Sequence, residues 1–198
     1  MNHNCRLIGL AGGIGSGKSV ISRILRQKGY QVYDCDTRAR YLMENSQIIK
    51  SRIRDEISAD VTDGSLPIDR RCLAEIVFHD KKMLKCLNAI VHGVVRDDVR
   101  RTVESTLEKI LFVEAAVMAQ SGLADICDEI WIVEAPVQQR IERVMTRDSI
   151  NRDAVDARIK SQEEEAELLS SYGAKLKVVR NDSIHSLLLQ LDELLKRA

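Results

Sequence analysis

The chain carries no surplus of either charge, since 30 Lys plus Arg balance 30 Asp plus Glu over 198 residues. Without a global basic field, nucleic acid is not an expected partner, and any anion site must be local. No apolar run approaches the roughly 18 residues that a bilayer-spanning helix needs, because Glu114 interrupts the longest candidate. The N-terminus shows no signal-peptide pattern, and its brief apolar stretch runs straight into a glycine-rich segment. There is no CxxC pair and no zinc-ligand spacing among Cys5, Cys35, Cys72, Cys86 and Cys127. Reduced thiols in a soluble, cytoplasmic protein with no membrane partner are therefore expected, with Cys35 a buried or incidental thiol rather than a redox switch. Internal repeats and low-complexity linkers are absent too, and nothing fixes an oligomeric state. The 44% hydrophobic content allows one substantial core with inserted subdomains, not two full independent domains.

What is present is GGIGSGKS at Gly12 to Ser19, placed between an apolar stretch (Leu7, Ile8, Leu10) and a helical pattern (Val20, Ile21, Ile24, Leu25) that stops at Gly29. This strand, loop and helix order is the context that a Walker A phosphate-binding loop requires. The glycines let the backbone turn its N–H groups onto an anion, Lys18 can reach the β- and γ-phosphates, and Ser19 can offer its hydroxyl to Mg²⁺. Nucleotide contacts are expected from Gly13, Ile14, Gly15, Ser16, Gly17, Lys18, Ser19 and Val20, with the helix dipole adding positive potential.

Five β-rich segments, at 6–11, 31–34, 110–114, 129–134 and 175–179, alternate with helical patterns and predict an α/β fold with a mostly parallel sheet. Ligands in such folds bind outside the carboxyl ends of the strands, where the phosphate loop, Asp34, Asp36 and Glu114 are expected to converge. Residues 37–107 are too long for an ordinary crossover and read as an inserted helical substrate-binding subdomain. Its turn is DGSLPID (63–69), and its core is Leu73, Ile76, Val77, Leu84, Leu87, Ile90 and Val91. Residues 138–172 read as a helical lid, in which Arg140, Arg143 and Arg147 fall on one helix face and can address transferring phosphates. The acidic run Glu163 to Glu165 reads as a solvent-facing surface. Leu187, Leu188, Leu191, Leu194 and Leu195 mark a terminal helix packed on the core. The nucleotide-binding core is thus expected from 1–36, 108–137 and 173–198. No NKxD guanine-recognition motif is evident.

The ordered set of motifs resembles the dephospho-CoA kinase family over nearly the whole chain. It comprises GLAGGIGSGKS (9–19), YDCD (33–36) followed by Arg38 and Ala39, Asp63-Gly64, DRRCLAEIVF (69–78) and LNAIVH (87–92). It continues with DEIWIVEAP (128–136), RVMTRD (143–148), Arg158 with Gln162, and Asn181. The resemblance implies a P-loop NTPase three-layer sandwich with a five-stranded sheet, inserted subdomain and lid. It further implies transfer of the ATP γ-phosphoryl group to the ribose 3′-hydroxyl of dephospho-CoA, with Mg²⁺, as the last step of CoA synthesis. By resemblance Asp36 is the base, and a hydroxyl nucleophile does need such a proton acceptor. Arg143 and Arg147 are assigned to ATP from the lid, and the resemblance places the acceptor near Arg70, Phe78 and His92. Asp34 is assigned to structure or metal organisation.

Four departures stand out: His92-Gly93 where the family has His-Pro, AVMAQ (116–120) where it often has PLLFE, Ala11 for Thr, and Glu114 for Asp. The alternatives are another small-molecule or nucleotide kinase, because a phosphate loop does not specify the acceptor, and a noncatalytic nucleotide-controlled binding module.

Overall fold

The computed structural model describes residues 5–64 and 67–197. Ser65 and Leu66 of the DGSLPID turn lie outside the described residues. Five short strands form one parallel sheet: β1 (Arg6–Ala11), β2 (Gln31–Asp34), β3 (Ile110–Glu114), β4 (Glu129–Glu134) and β5 (Leu176–Arg180), in the order β2-β3-β1-β4-β5. Each begins within a residue of the apolar segment that predicts it. The inner strands β1, β3 and β4 are largely buried on both faces and so read as near-continuous apolar runs, whereas the edge strands β2 and β5 are half-buried or exposed over most of their length.

The helices are α1 (Lys18–Gln27), α2 (Cys35–Asn45), α3 (Gln47–Glu56), α4 (Arg70–His79), α5 (Lys81–Ser105), α6 (Leu123–Ile126), α7 (Val137–Asp148), α8 (Arg152–Lys160), α9 (Glu163–Ser170) and α10 (Leu187–Arg197). Their ends follow local chemistry. Asp69 caps α4 by accepting from Arg71 N and Cys72 N at 2.9 and 3.0 Å, and Asn151 caps α8 through Ala154 N at 2.9 Å. After α1 the chain turns through Gly29 at φ 89°, as the helix-stop reading expects.

On one face of the sheet, Ile8, Leu10, Trp131, Val133 and Val179 pack with Ile21 and Leu25 of α1 and Leu191 of α10. Burying each such aliphatic side chain contributes about 1.5–3 kcal/mol. Phe112 sits edge-on between Tyr30 and Trp131, with ring centroids 5.5 and 5.1 Å away. Trp131 is fully buried and donates its indole N–H to Glu129 at 2.6 Å. On the opposite face Gly9 makes room for Met118 and Cys127, whose nearest atoms lie 3.1 and 3.2 Å from where a Cβ would stand.

The chain packs as two compact units, Met1–Asp34 with Val103–Ala198, and Cys35–Thr102. The first holds the sheet, α1 and α6 to α10; the second is helical. Three expectations are corrected. Glu165 of the acidic run is buried, Leu84 of the expected subdomain core is 42% exposed, and Leu188 of the terminal helix is 54% exposed. Periodicity finds a helix face but not which positions on its margin meet a neighbour. All five cysteines are free, and Cys35 is buried as expected. Among the described residues no helix is long and apolar enough to cross a membrane.

Candidate active site

The loop from Gly12 to Ser19 joins the end of β1, the central strand, to the first turn of α1. Its backbone is anchored almost atom by atom. Gly12 O accepts from Lys18 Nζ, and Gly13 O accepts from Ser16 N at 3.1 Å and Lys18 Nζ at 3.5 Å. Ile14 O accepts from Arg140 Nε at 2.9 Å, Gly15 O from Arg143 Nη1 at 3.4 Å, and Ser16 O from Asn181 Nδ2 at 2.7 Å. Gly17 O accepts from Val20 N and Ile21 N at 3.0 and 3.2 Å. In a trans peptide the next N–H points opposite to the carbonyl, so donors that hold these oxygens also set the direction of the loop amides. Gly17 has φ 101°, and a Cβ there would overlap the Asn181 amide, so only glycine fits.

The helices after β4 press on this loop. Ile14 packs against Ile141 and Val144 of α7 and Val155 of α8. Its N–H donates to Gln162 Oε1 at 2.7 Å. Arg140 is half-buried, and burial pulls its guanidinium below the usual arginine range. Arg143 also donates to Asn181 O at 3.2 Å and Gln139 Oε1 at 3.1 Å, and Arg147 donates to Asp148 at 2.7 Å.

One turn beyond Gln162, the carboxylate of Glu165 accepts from Ala119 N at 2.7 Å and Gln120 N at 2.9 Å. Burial pushes its pKa up, while those amides and the charge of Lys18 pull against it. A carboxylate therefore does reach the AVMAQ segment, from α9 rather than from position 120. Beside the loop lies a cavity of about 780 Å³ whose lining includes Ile132, Leu176, Val178, Arg140 and Gln162.

At the carboxyl edge of the sheet, Asp34 and Glu114 are register partners on β2 and β3, and Leu10 pairs with Glu114 from β1. The other expected residues belong to the helical unit. Asp36 is exposed in the first turn of α2, which starts directly after β2. Two residues on, Arg38 donates to the buried Asp98 of α5 at 2.7 and 3.3 Å. Arg70 pairs with Glu44, and Phe78 is 86% exposed. His92 is partly buried, and burial, with Arg96 nearby, lowers its pKa and favours the neutral ring.

The family model for dephospho-CoA kinase matches residues 6–185, which takes in the loop, the strand-edge acids and the helical unit. The chain belongs to the dephospho-CoA kinase family. It is 35% identical to the dephospho-CoA kinase of Fusobacterium nucleatum over 156 residues, covering 79% of this chain and 80% of that one. The solved structure of TT1252 from Thermus thermophilus superposes with a TM-score of 0.73 at 33% identity, covering 97% of this chain and 95% of that one. Shikimate kinase from Bacteroides thetaiotaomicron, at 14% identity and a TM-score of 0.55, over 96% of this chain and 98% of that one, shares the P-loop kinase fold. As a member of the dephospho-CoA kinase family the chain is an ATP-dependent kinase, which sets aside the binding-module alternative.

Sequence reasoning left Arg140, Gln162 and Glu165 without their structural roles. Arg140 belongs to the arginine face expected to address phosphates, and its guanidinium holds Ile14 O instead; Gln162, which the motif set includes, and Ile14 are 148 positions apart, so no local signal joins them.

Proposed function

We propose that this chain transfers the γ-phosphoryl group of ATP to the ribose 3′-hydroxyl of dephospho-CoA, giving CoA and ADP, in the cytoplasm. The observation that carries the reading is a family match running through both units together with a loop whose carbonyls, from Gly12 to Gly17, all have donors. An oriented set of amides beside Lys18 is what a triphosphate needs, because phosphoryl transfer asks the protein mainly for positioning and charge stabilisation.

In this reading Gly13 to Val20 hold the phosphates, and Lys18 takes up charge on the transferring group. Asp36 accepts the proton of the attacking hydroxyl. Arg143 and Arg147 serve ATP from the 138–172 lid, and Arg70, Phe78 and His92 in residues 37–107 receive the acceptor. The Ser19 hydroxyl and the Asp34 carboxylate, next to Glu114 in register, offer the hard oxygen donors that Mg²⁺ takes. Bound Mg²⁺ would neutralise charge on the β- and γ-phosphate oxygens.

The test is incubation of the purified protein with Mg²⁺, ATP and dephospho-CoA, with product read by mass. CoA formed by the wild type and not by Lys18→Ala is the expected result. Preferential phosphorylation of nucleosides or nucleoside monophosphates in the same assay would overturn the acceptor assignment.

A further inference from the structure

The peptide between Ile14 and Gly15 is gripped from outside the loop. Arg140 Nε holds its carbonyl at 2.9 Å, and one residue earlier Gln162 holds the Ile14 N–H at 2.7 Å. Because the peptide is trans, fixing Ile14 O away from the loop interior fixes the Gly15 N–H in the opposite direction.

A second observation points to the same side chain. Gly13 is not among the glycines with positive φ, so backbone conformation does not demand glycine there. What a Cβ at Gly13 would meet is Arg140: it would overlap Nη2 and stand 2.8 Å from Cζ and 3.3 Å from Nη1. At Gly15 a Cβ would stand 2.6 Å from the Arg140 carbonyl oxygen and 2.9 Å from Val144 Cγ2. Two of the loop's glycines therefore open space toward α7, whatever they also leave open to a ligand.

We infer that Arg140 is a positioning residue of the phosphate loop, one that aims the Gly15 amide at the nucleotide by holding Ile14 O, and that Gly13 is glycine to admit its guanidinium. The inference rests on the reading that this loop holds the ATP phosphates, and it adds a residue that acts through the loop without touching ATP. Its neighbours Arg143 and Asn181 do the same for the next two carbonyls, but Arg140 alone also accounts for a glycine of normal φ.

Direct binding of ATP and of ADP to the full-length protein separates this role from the others, because it needs no acceptor. Arg140→Ala is expected to weaken both nucleotides equally, by about tenfold, the worth of one lost charged hydrogen bond. Arg140→Lys restores part of the affinity, having one donor able to reach Ile14 O. Gly13→Ala is expected to match Arg140→Ala, because the added methyl group evicts the guanidinium. The double variant is then no weaker than either single one, since both remove the same contact.

Multiplied losses in the double variant would overturn the inference, as would unchanged nucleotide affinity in Arg140→Ala. A loss confined to ATP would make Arg140 a direct γ-phosphate ligand and overturn it equally. If Arg140→Ala does not fold, Arg140→Lys and Gly13→Ala carry the same comparison. Wild-type ATP affinity in Lys18→Ala would sink the phosphate-loop reading itself, a separate failure.

Discussion

In the proposed reaction Lys18 would work on the donor and Asp36 on the acceptor, so their losses would leave different kinetic signatures. Asp36→Asn is expected to keep ATP affinity while lowering kcat by about 10²–10⁴-fold, the range for removal of a general base. Near-normal turnover in that variant would take the base role from Asp36. Lys18→Ala is expected to weaken ATP binding and also to cost about 2–4 kcal/mol in the transition state, by analogy with lost oxyanion donors, measured as kcat/KM for ATP. The loop residues were legible in the sequence because spacing alone defines them. Their supports were not: Arg140 and Asn181 reach the loop only through the folding of α7 and the segment after β5, and a guanidinium that grips a carbonyl is spelled the same as one that grips a phosphate.

At the scale of elements, α9 is where sequence pattern and structure part. A run of three glutamates reads as a wet surface, yet Glu165 is 5% exposed and spans the amides of Ala119 and Gln120. Its folded pKa is raised by burial above the unfolded value of about 4.3. Its contribution to stability is therefore fully present below pH 4.3 and is lost as pH rises through the folded pKa. Glu165→Gln removes this titration, so the unfolding free energy of the wild type is expected to fall relative to the variant between pH 4 and neutrality. Denaturant melts across that range check it, and a wild type that gains stability relative to Glu165→Gln as pH rises would contradict it. The inner strands β1, β3 and β4 were legible for the reason that Glu165 was not: a strand buried on both faces needs no partner to be recognised, whereas one buried side chain on a polar helix does.

For the molecule as a whole, strand order stayed closed to the sequence, because β1 pairs with β3 and β4, strands that begin more than 100 positions further along. Metal dependence also belongs to this scale. Among the described residues no group of three or more His, Cys, Asp or Glu side chains is placed to hold a metal. In the proposed reaction Mg²⁺ would be carried mainly by the ATP phosphates, and its chelation would be a kinetic lesion rather than a structural one. Excess EDTA is expected to abolish turnover, with recovery on adding Mg²⁺, and to leave the Tm of the nucleotide-free protein unchanged. A drop in Tm would reveal a structural metal.

Trp131, the chain's one tryptophan, lies fully buried on β4 in the sheet-bearing unit, its indole bonded to Glu129. Intrinsic emission excited at the red edge is therefore a private reporter for that unit, whereas far-ultraviolet circular dichroism sums both. If residues 35–102 loosen first on heating, the dichroism curve leaves its baseline while the fluorescence stays flat, and two optical signals on an unlabelled sample resolve the order of events.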